Sequence, residues 1–145
     1  MADDFNNFNK LLIYAIENNT SVEILEYIIQ ARTDKNLNFG FIVDNKFKNP
    51  IFEAVKNNYF DKADILIKNN ANINCTTTIT NNINIFEYLY YNKFLTVRNL
   101  KYILNRGFHF NDINIYIDEL INNGDSQFLE IIYNNIILYN NHNSN

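Results

Sequence analysis

The stretch Ile51-Phe52-Glu53-Ala54-Val55-Lys56-Asn57-Asn58-Tyr59-Phe60 returns 34 residues later, without a gap, as Ile85-Phe86-Glu87-Tyr88-Leu89-Tyr90-Tyr91-Asn92-Lys93-Phe94. Upstream, "LLIYAIENN" (11–19) aligns with "PIFEAVKNN" (50–58). Three further segments share one shape: "YIIQARTDKN" (27–36), "ILIKNNANIN" (65–74) and "YILNRGFHFN" (102–111). Each has an apolar helix end, a polar turn and a closing Asn. A weaker fourth copy runs "YIDELINNGDSQFLEIIYNN" (116–135). A unit with a period in the thirties cannot bury its apolar face alone, so such chains stack their units into one continuous core.

The unit is helical. In 11–16 and 22–29 apolar residues recur at three- and four-residue spacing, the period of one helix face. The pattern predicts short helices of eight to ten residues separated by Asn-rich breaks. Helices that short are marginal in water and need tertiary packing. With 145 residues, 47% of them apolar, the chain has core material enough to exclude disorder and suits one domain over 1–140. The segment 140–145, "NNHNSN", reads as a frayed or disordered tail.

Charge and cysteine usage narrow the function. A net charge of −4 with scattered Lys and Arg argues against a phosphate-backbone binder, so no nucleic-acid partner is expected. Apolar runs are far too short for a membrane span, and no secretory signal opens the chain. Cys75 is the lone cysteine, which excludes an internal disulfide and suits a reducing, intracellular compartment.

Residues 44–76 resemble an ankyrin repeat. Asp44-Asn45-Lys46-Phe47-Lys48-Asn49-Pro50-Ile51-Phe52-Glu53-Ala54 stands against the family's D-x-x-G-x-T-P-L-H-x-A, and Asn70-Ala71-Asn72-Ile73-Asn74 against its closing G-A-D-V-N. Phe47 replaces the finger glycine and Phe52 the histidine, whereas Gly107 and Gly124 keep family glycines. At Asn70 the pattern calls for a left-handed residue, for which Asn is second only to Gly. The resemblance implies an all-α solenoid of stacked helix-turn-helix pairs with finger loops, in about four repeats near 8–38, 44–76, 78–111 and 112–135. The first gains Phe39-Gly40-Phe41-Ile42-Val43 in its finger; the third gains residues around Leu95-Thr96-Val97.

No catalytic or metal constellation can be assembled. His109 and His142 are the only histidines, Cys75 has no zinc-ligand companions, and Gly40, Gly107 and Gly124 stand alone rather than forming a phosphate loop. The expectation is therefore a non-enzyme without cofactor or metal. The resemblance implies a module that binds another protein through its fingers and the concave face of its first helices, in the cytoplasm (the host's, if viral). Carried over by position, it selects Asn45, Lys46 and Lys48 on the second finger, and Ile79, Thr80 and Asn82 on the third. At first-helix ends it selects Glu17 and Asn18, Lys56 and Asn57, then Tyr90 and Tyr91. Tyrosines placed there suit interface anchors, although packing under the segment at Leu95 is the other use for one of them. Phe39 and Phe41, in the apolar finger extension, either bind a partner or fold back over the first helix pair. The alternative function is a self-associating scaffold, a homo-oligomer formed through residues 39–43 or a stack end.

Overall fold

The computed structural model describes residues 2–76, 79 and 81–143. Among them the chain is mostly helical: α1 (Ala2–Glu17), α2 (Val22–Ala31), α3 (Pro50–Lys56), α4 (Phe60–Lys68), α5 (Ile85–Tyr91), α6 (Val97–Asn105), α7 (Asn114–Asn122) and α8 (Ser126–Asn143). One hairpin, β1 (Phe41–Val43) and β2 (Lys46–Lys48), lies between α2 and α3. The chain divides into two compact units, Met1–Phe94 and Leu95–Asn145.

In the first unit, α1 packs on α3 and α3 on α5, while α2 packs on α4. Each leading helix also packs on its successor, α1 on α2 and α3 on α4. The result is two helix layers with a common core. Leu12, Ile16, Leu25, Ile51, Phe52, Leu66, Ile85, Phe86 and Leu89 are all 0% exposed. Each such side chain contributes roughly 1.5–3 kcal/mol by leaving water, which holds together helices too short to persist alone.

The Asn-rich breaks are helix stops with a recurring geometry. Six residues in left-handed backbone follow helix ends: Asn19 (φ 50°), Asn58 (59°), Asn70 (74°), Lys93 (62°), Gly107 (93°) and Gly124 (75°). At each, the left-handed residue's N–H returns to the carbonyl three back and the next N–H to the carbonyl five back; Asn70 to Ile67 and Ala71 to Leu66, at 3.0 and 2.9 Å, are typical. This is the Schellman closure, which satisfies helix-end carbonyls otherwise left open. The residue before the left-handed one is Asn at 18, 57, 69, 92 and 123, and in the first four its side-chain Nδ2 donates to the carbonyl four residues back at 2.8–2.9 Å. An Asn-Asn pair thus supplies a side-chain cap and a left-handed turn together.

Helix starts are equally specified. Ser21, Asn49, Asn84 and Thr96 each accept a backbone N–H in the first turn, an arrangement worth about 1 kcal/mol apiece. Asn49 is followed by Pro50 at the first helical position, where a missing N–H costs nothing.

Helix α2 ends differently. Its cap, Arg32, is extended (φ −70°, ψ 136°) and sends the chain away from the helix toward β1. The Arg32 side chain is buried. Its Nη2 donates to Asn9 Oδ1 at 2.6 Å and to the Asn36 carbonyl at 3.3 Å, and the guanidinium lies 4.8 Å from the centre of the Phe39 ring.

In the second unit α6 and α7 both pack on α8, around Leu100, Ile103, Leu104, Phe108, Tyr116, Leu120, Phe128 and Ile132. Helix lengths depart from the expected eight to ten residues: α3 and α5 have 7, whereas α1 has 16 and α8 has 18. Helix α8 continues through residues 141–143, part of the segment expected to fray. No helix among the described residues is long and apolar enough to cross a membrane.

Candidate functional site

The first unit carries a groove of about 320 Å³ between the hairpin and the leading helices. The hairpin exists because Asp44 (φ 51°) and Asn45 (φ 63°) both take left-handed backbone, as a two-residue type I′ turn requires. Around that turn Val43 pairs with Lys46, Ile42 with Phe47 and Phe41 with Lys48. Lys46, Phe47 and Lys48 from β2 line one side of the groove, Lys56 at the end of α3 and Tyr88 from α5 line others, and Phe94 closes it.

The wall is aromatic. Phe47 meets Phe52 at 5.8 Å and Tyr88 at 6.3 Å between ring centres, both edge-on, and Phe94 lies 6.1 Å from Tyr88. Edge-on rings at such spacing attract through their quadrupoles beyond simple burial. The Lys56 ammonium sits 4.7 Å from the Phe94 ring centre, close enough for cation–π attraction.

Beneath these side chains lies a charged centre. Glu53 is 1% exposed, although it belongs to the otherwise apolar first turns of α3. Tyr88 donates its hydroxyl to Glu53 Oε1 at 3.1 Å. The ammonium groups of Lys48 and Lys56 both stand 3.7 Å from Glu53 Oε2; that oxygen accepts no hydrogen bond. Lys48 also donates to Glu17 Oε1 at 2.6 Å. Burial alone would lower the Lys48 pKa, but the Glu17 hydrogen bond and the Glu53 charge hold it above the ordinary lysine value. Burial, reinforced by the Glu53 carboxylate, pushes the Tyr88 hydroxyl well above the ordinary tyrosine range. Tyr88 therefore serves as a donor to Glu53 and Lys48 as a fixed cation.

Of the residues selected from the sequence, Asn45, Lys46, Lys48 and Lys56 converge on this groove. Asn45 and Lys46 are exposed at the hairpin tip, while Lys48 and Lys56 are half-buried. Asn57 is spent on capping α3. Tyr90 stacks on Phe86 at 5.7 Å and is half-buried, whereas Tyr91 is half exposed to solvent with its ring against Tyr90. Ile79 and Asn82 are exposed, and Thr80 lies outside the described residues. Phe39 and Phe41 stack on each other at 6.0 Å and are half-buried; with Arg32 over Phe39, the finger extension packs against its own unit. Its one exposed large apolar side chain is Ile42, at 56%.

Glu53, Tyr88, Phe47 and Phe94 were not among those selected. The signal for Glu53 was present as a carboxylate inside the apolar run Pro50–Val55. Gapless alignment with Glu87 concealed it, since Glu87 caps the start of α5 through Asn84. Helix α3 begins one position earlier in that alignment, at Pro50, which leaves Glu53 to turn inward.

The reactive residue types lie elsewhere. Cys75 is buried beneath Asn49, whose Nδ2 lies 3.8 Å from Sγ, and burial pushes its thiol up, away from the nucleophilic thiolate. His109 and His142 border a separate groove of about 930 Å³ within the second unit. Compared with family models, curated proteins and solved structures, the chain matches none.

Proposed function

We propose that this chain is a non-catalytic protein-interaction module, an ankyrin-like stack that holds a partner protein in the groove between its hairpin and its leading helices. The single observation that carries this reading is the composition of that groove. Aromatic walls adjoin the ammonium groups of Lys46 and Lys56, which make no hydrogen bond among the described residues, Lys56 being held by Glu53 at 3.7 Å. Aromatic rings supply contact area at small entropic cost, and polar groups around them fix orientation. The ankyrin-like reading is supported by the 34-residue repeat, by the α1–α3–α5 and α2–α4 packing, and by left-handed Asn70 where the motif wants one. The working compartment is an intracellular, reducing one.

The test is site-resolved cross-linking in cells of the source organism. A photoreactive amino acid replaces Lys46 in one variant and Glu23, exposed on α2, in another. A discrete adduct from position 46 that is missing from position 23 is expected. Equal labelling from both positions, or none from position 46, would sink the proposal.

A second reading, self-association, has one observation in its favour. Tyr133, Leu138 and Tyr139 of α8 are 64%, 58% and 68% exposed, a density of apolar surface typical of contact sites. Light scattering across a concentration series decides it: a molar mass that stays at 17.2 kDa removes this reading.

A further inference from the structure

We infer that the groove selects an acidic segment of its partner, with a carboxylate seated between the Lys48 and Lys56 ammonium groups and an apolar neighbour against Phe47 and Phe94. This rests on the interaction reading above and specifies its ligand. Three lysines, at 46, 48 and 56, face the cavity. Among the described residues these ammonium groups make one hydrogen bond, from Lys48 to Glu17, and Lys48 and Lys56 are otherwise held by Glu53 at the longer distance of 3.7 Å. An ammonium group that leaves water needs an acceptor for its donors, and a carboxylate accepts from two such groups at once.

The buried carboxylate of Glu53 sets the geometry. It holds two ammonium groups 3.7 Å from the same oxygen, so both are in place before any partner arrives. A cationic side chain entering there would meet Lys48 and Lys56 first. A neutral one would leave their donors unfilled, which is how a site built to pair a group rejects its absence. The charged residues that line the groove are Lys46, Lys48 and Lys56; among the described residues no carboxylate lines it, and those of Glu17 and Glu53 pair with Lys48 and Lys56 from behind. Charge complementarity of that kind steers encounter and excludes wrong partners more than it adds affinity.

The experiment is selection of a displayed library of random linear peptides on the full chain at low salt. Enriched peptides are then remade with a fluorescein label, each beside a version with Asp and Glu changed to Asn and Gln. Anisotropy titrations use the native chain and Lys56→Met, Lys46→Met and Phe94→Ala, each checked for an unchanged helical spectrum. Peptides with Asp or Glu beside Phe, Tyr or Leu should dominate. Lys56→Met should weaken them about tenfold, the magnitude of one well-placed charge pair. The neutral peptides should bind as weakly as that and show no further loss on Lys56→Met. Lys46→Met, farther out on an exposed strand, should cost less but in the same direction. Added salt should loosen only the acidic peptides.

Enriched peptides that are neutral or basic, yet lost on Phe94→Ala, would overturn the acidic preference and leave the groove reading standing. Binders indifferent to Phe94→Ala and to both lysine changes would overturn both. So would the absence of any enrichment over uncoated support.

Discussion

Asparagine is the residue on which this chain's turns depend, and lysine 93 is the exception that tests why. At Lys93 the backbone is left-handed with φ 62°, a conformation that costs an ordinary L-residue roughly 1–2 kcal/mol. Lys93→Gly should therefore raise stability, by somewhat under 1 kcal/mol once the more flexible unfolded chain is counted. Asn70→Ala, at φ 74°, should lower it by about 1 kcal/mol, because alanine has neither glycine's freedom nor asparagine's local hydrogen bonding. Urea midpoints for the pair should move in opposite directions; a shared direction would refute the account. Alkali tests the buried groups. Burial raises the Cys75 pKa from its ordinary 9.0. It likewise raises that of Tyr88 from 10.0, and Lys48 rises from 10.5 because its carboxylate partners outweigh desolvation. A group that holds its proton more tightly when folded contributes stability that is complete below its unfolded pKa and lost as the pH climbs past it. Stability should thus begin to fall above pH 9.0 and fall faster beyond 10.0. Tyr88→Phe should shallow the slope in the second window, measured by urea denaturation at fixed pH, and an unchanged slope would remove Tyr88 from the explanation.

The hairpin is the element that turns a helical repeat into a groove, and Gly40 fits it in place. A Cβ at that position would lie 2.5 Å from the ring of Phe47, a ring already held between Phe52 and Tyr88. Gly40→Ala must displace that groove-lining ring, so it should destabilise by about 1–3 kcal/mol, the range for overpacking. It should also weaken any groove ligand, whereas alanine at exposed Gly124 would act through backbone strain alone. A melt unchanged by Gly40→Ala would mean that the ring has room to move. The elements themselves were largely legible in the sequence. The 3.6-residue period located the helical segments, the 34-residue offset paired the leading helices, and Asn70 announced its own turn. What stayed hidden is of two kinds. Strand pairing at 41–43 and 46–48 depends on the left-handed pair Asp44-Asn45, which reads equally well as a loop. Glu53 depends on a one-residue difference in where two aligned helices begin, and periodicity does not register a shift of that size. The lysines of the site were visible through the repeat; the carboxylate that gathers two of them was not, because Tyr88, its hydrogen-bond donor, lies 35 residues away.

Across the molecule, burial is distributed unevenly, and stability should follow it. Helix α3 buries Pro50 through Val55 without interruption, whereas α7 buries Tyr116 and Leu120. Amides in a helix sealed by apolar contact exchange through near-global opening, while those in sparsely buried helices open locally at a lower free energy. Native-state hydrogen exchange should therefore place Phe52–Val55, whose amides are bonded to the Asn49 cap and to the helix, among the slowest amides, with a free energy equal to that of global unfolding. The amides of α7 should exchange earlier and depend weakly on denaturant, the sign of a local opening. Uniform protection of both helices would refute this and make the chain a single cooperative block. The expected ordering bears directly on recognition. Lys56 ends the most buried helix, Tyr88 stands on α5 packed against it, and Lys48 reaches both Glu17 and Glu53. A groove supported in that way loses little conformational freedom when a ligand arrives, so more of the contact energy is retained as affinity. If α3 instead opened as readily as α7, the ammonium groups would have to be ordered on binding, and the selectivity for a carboxylate would shrink with them.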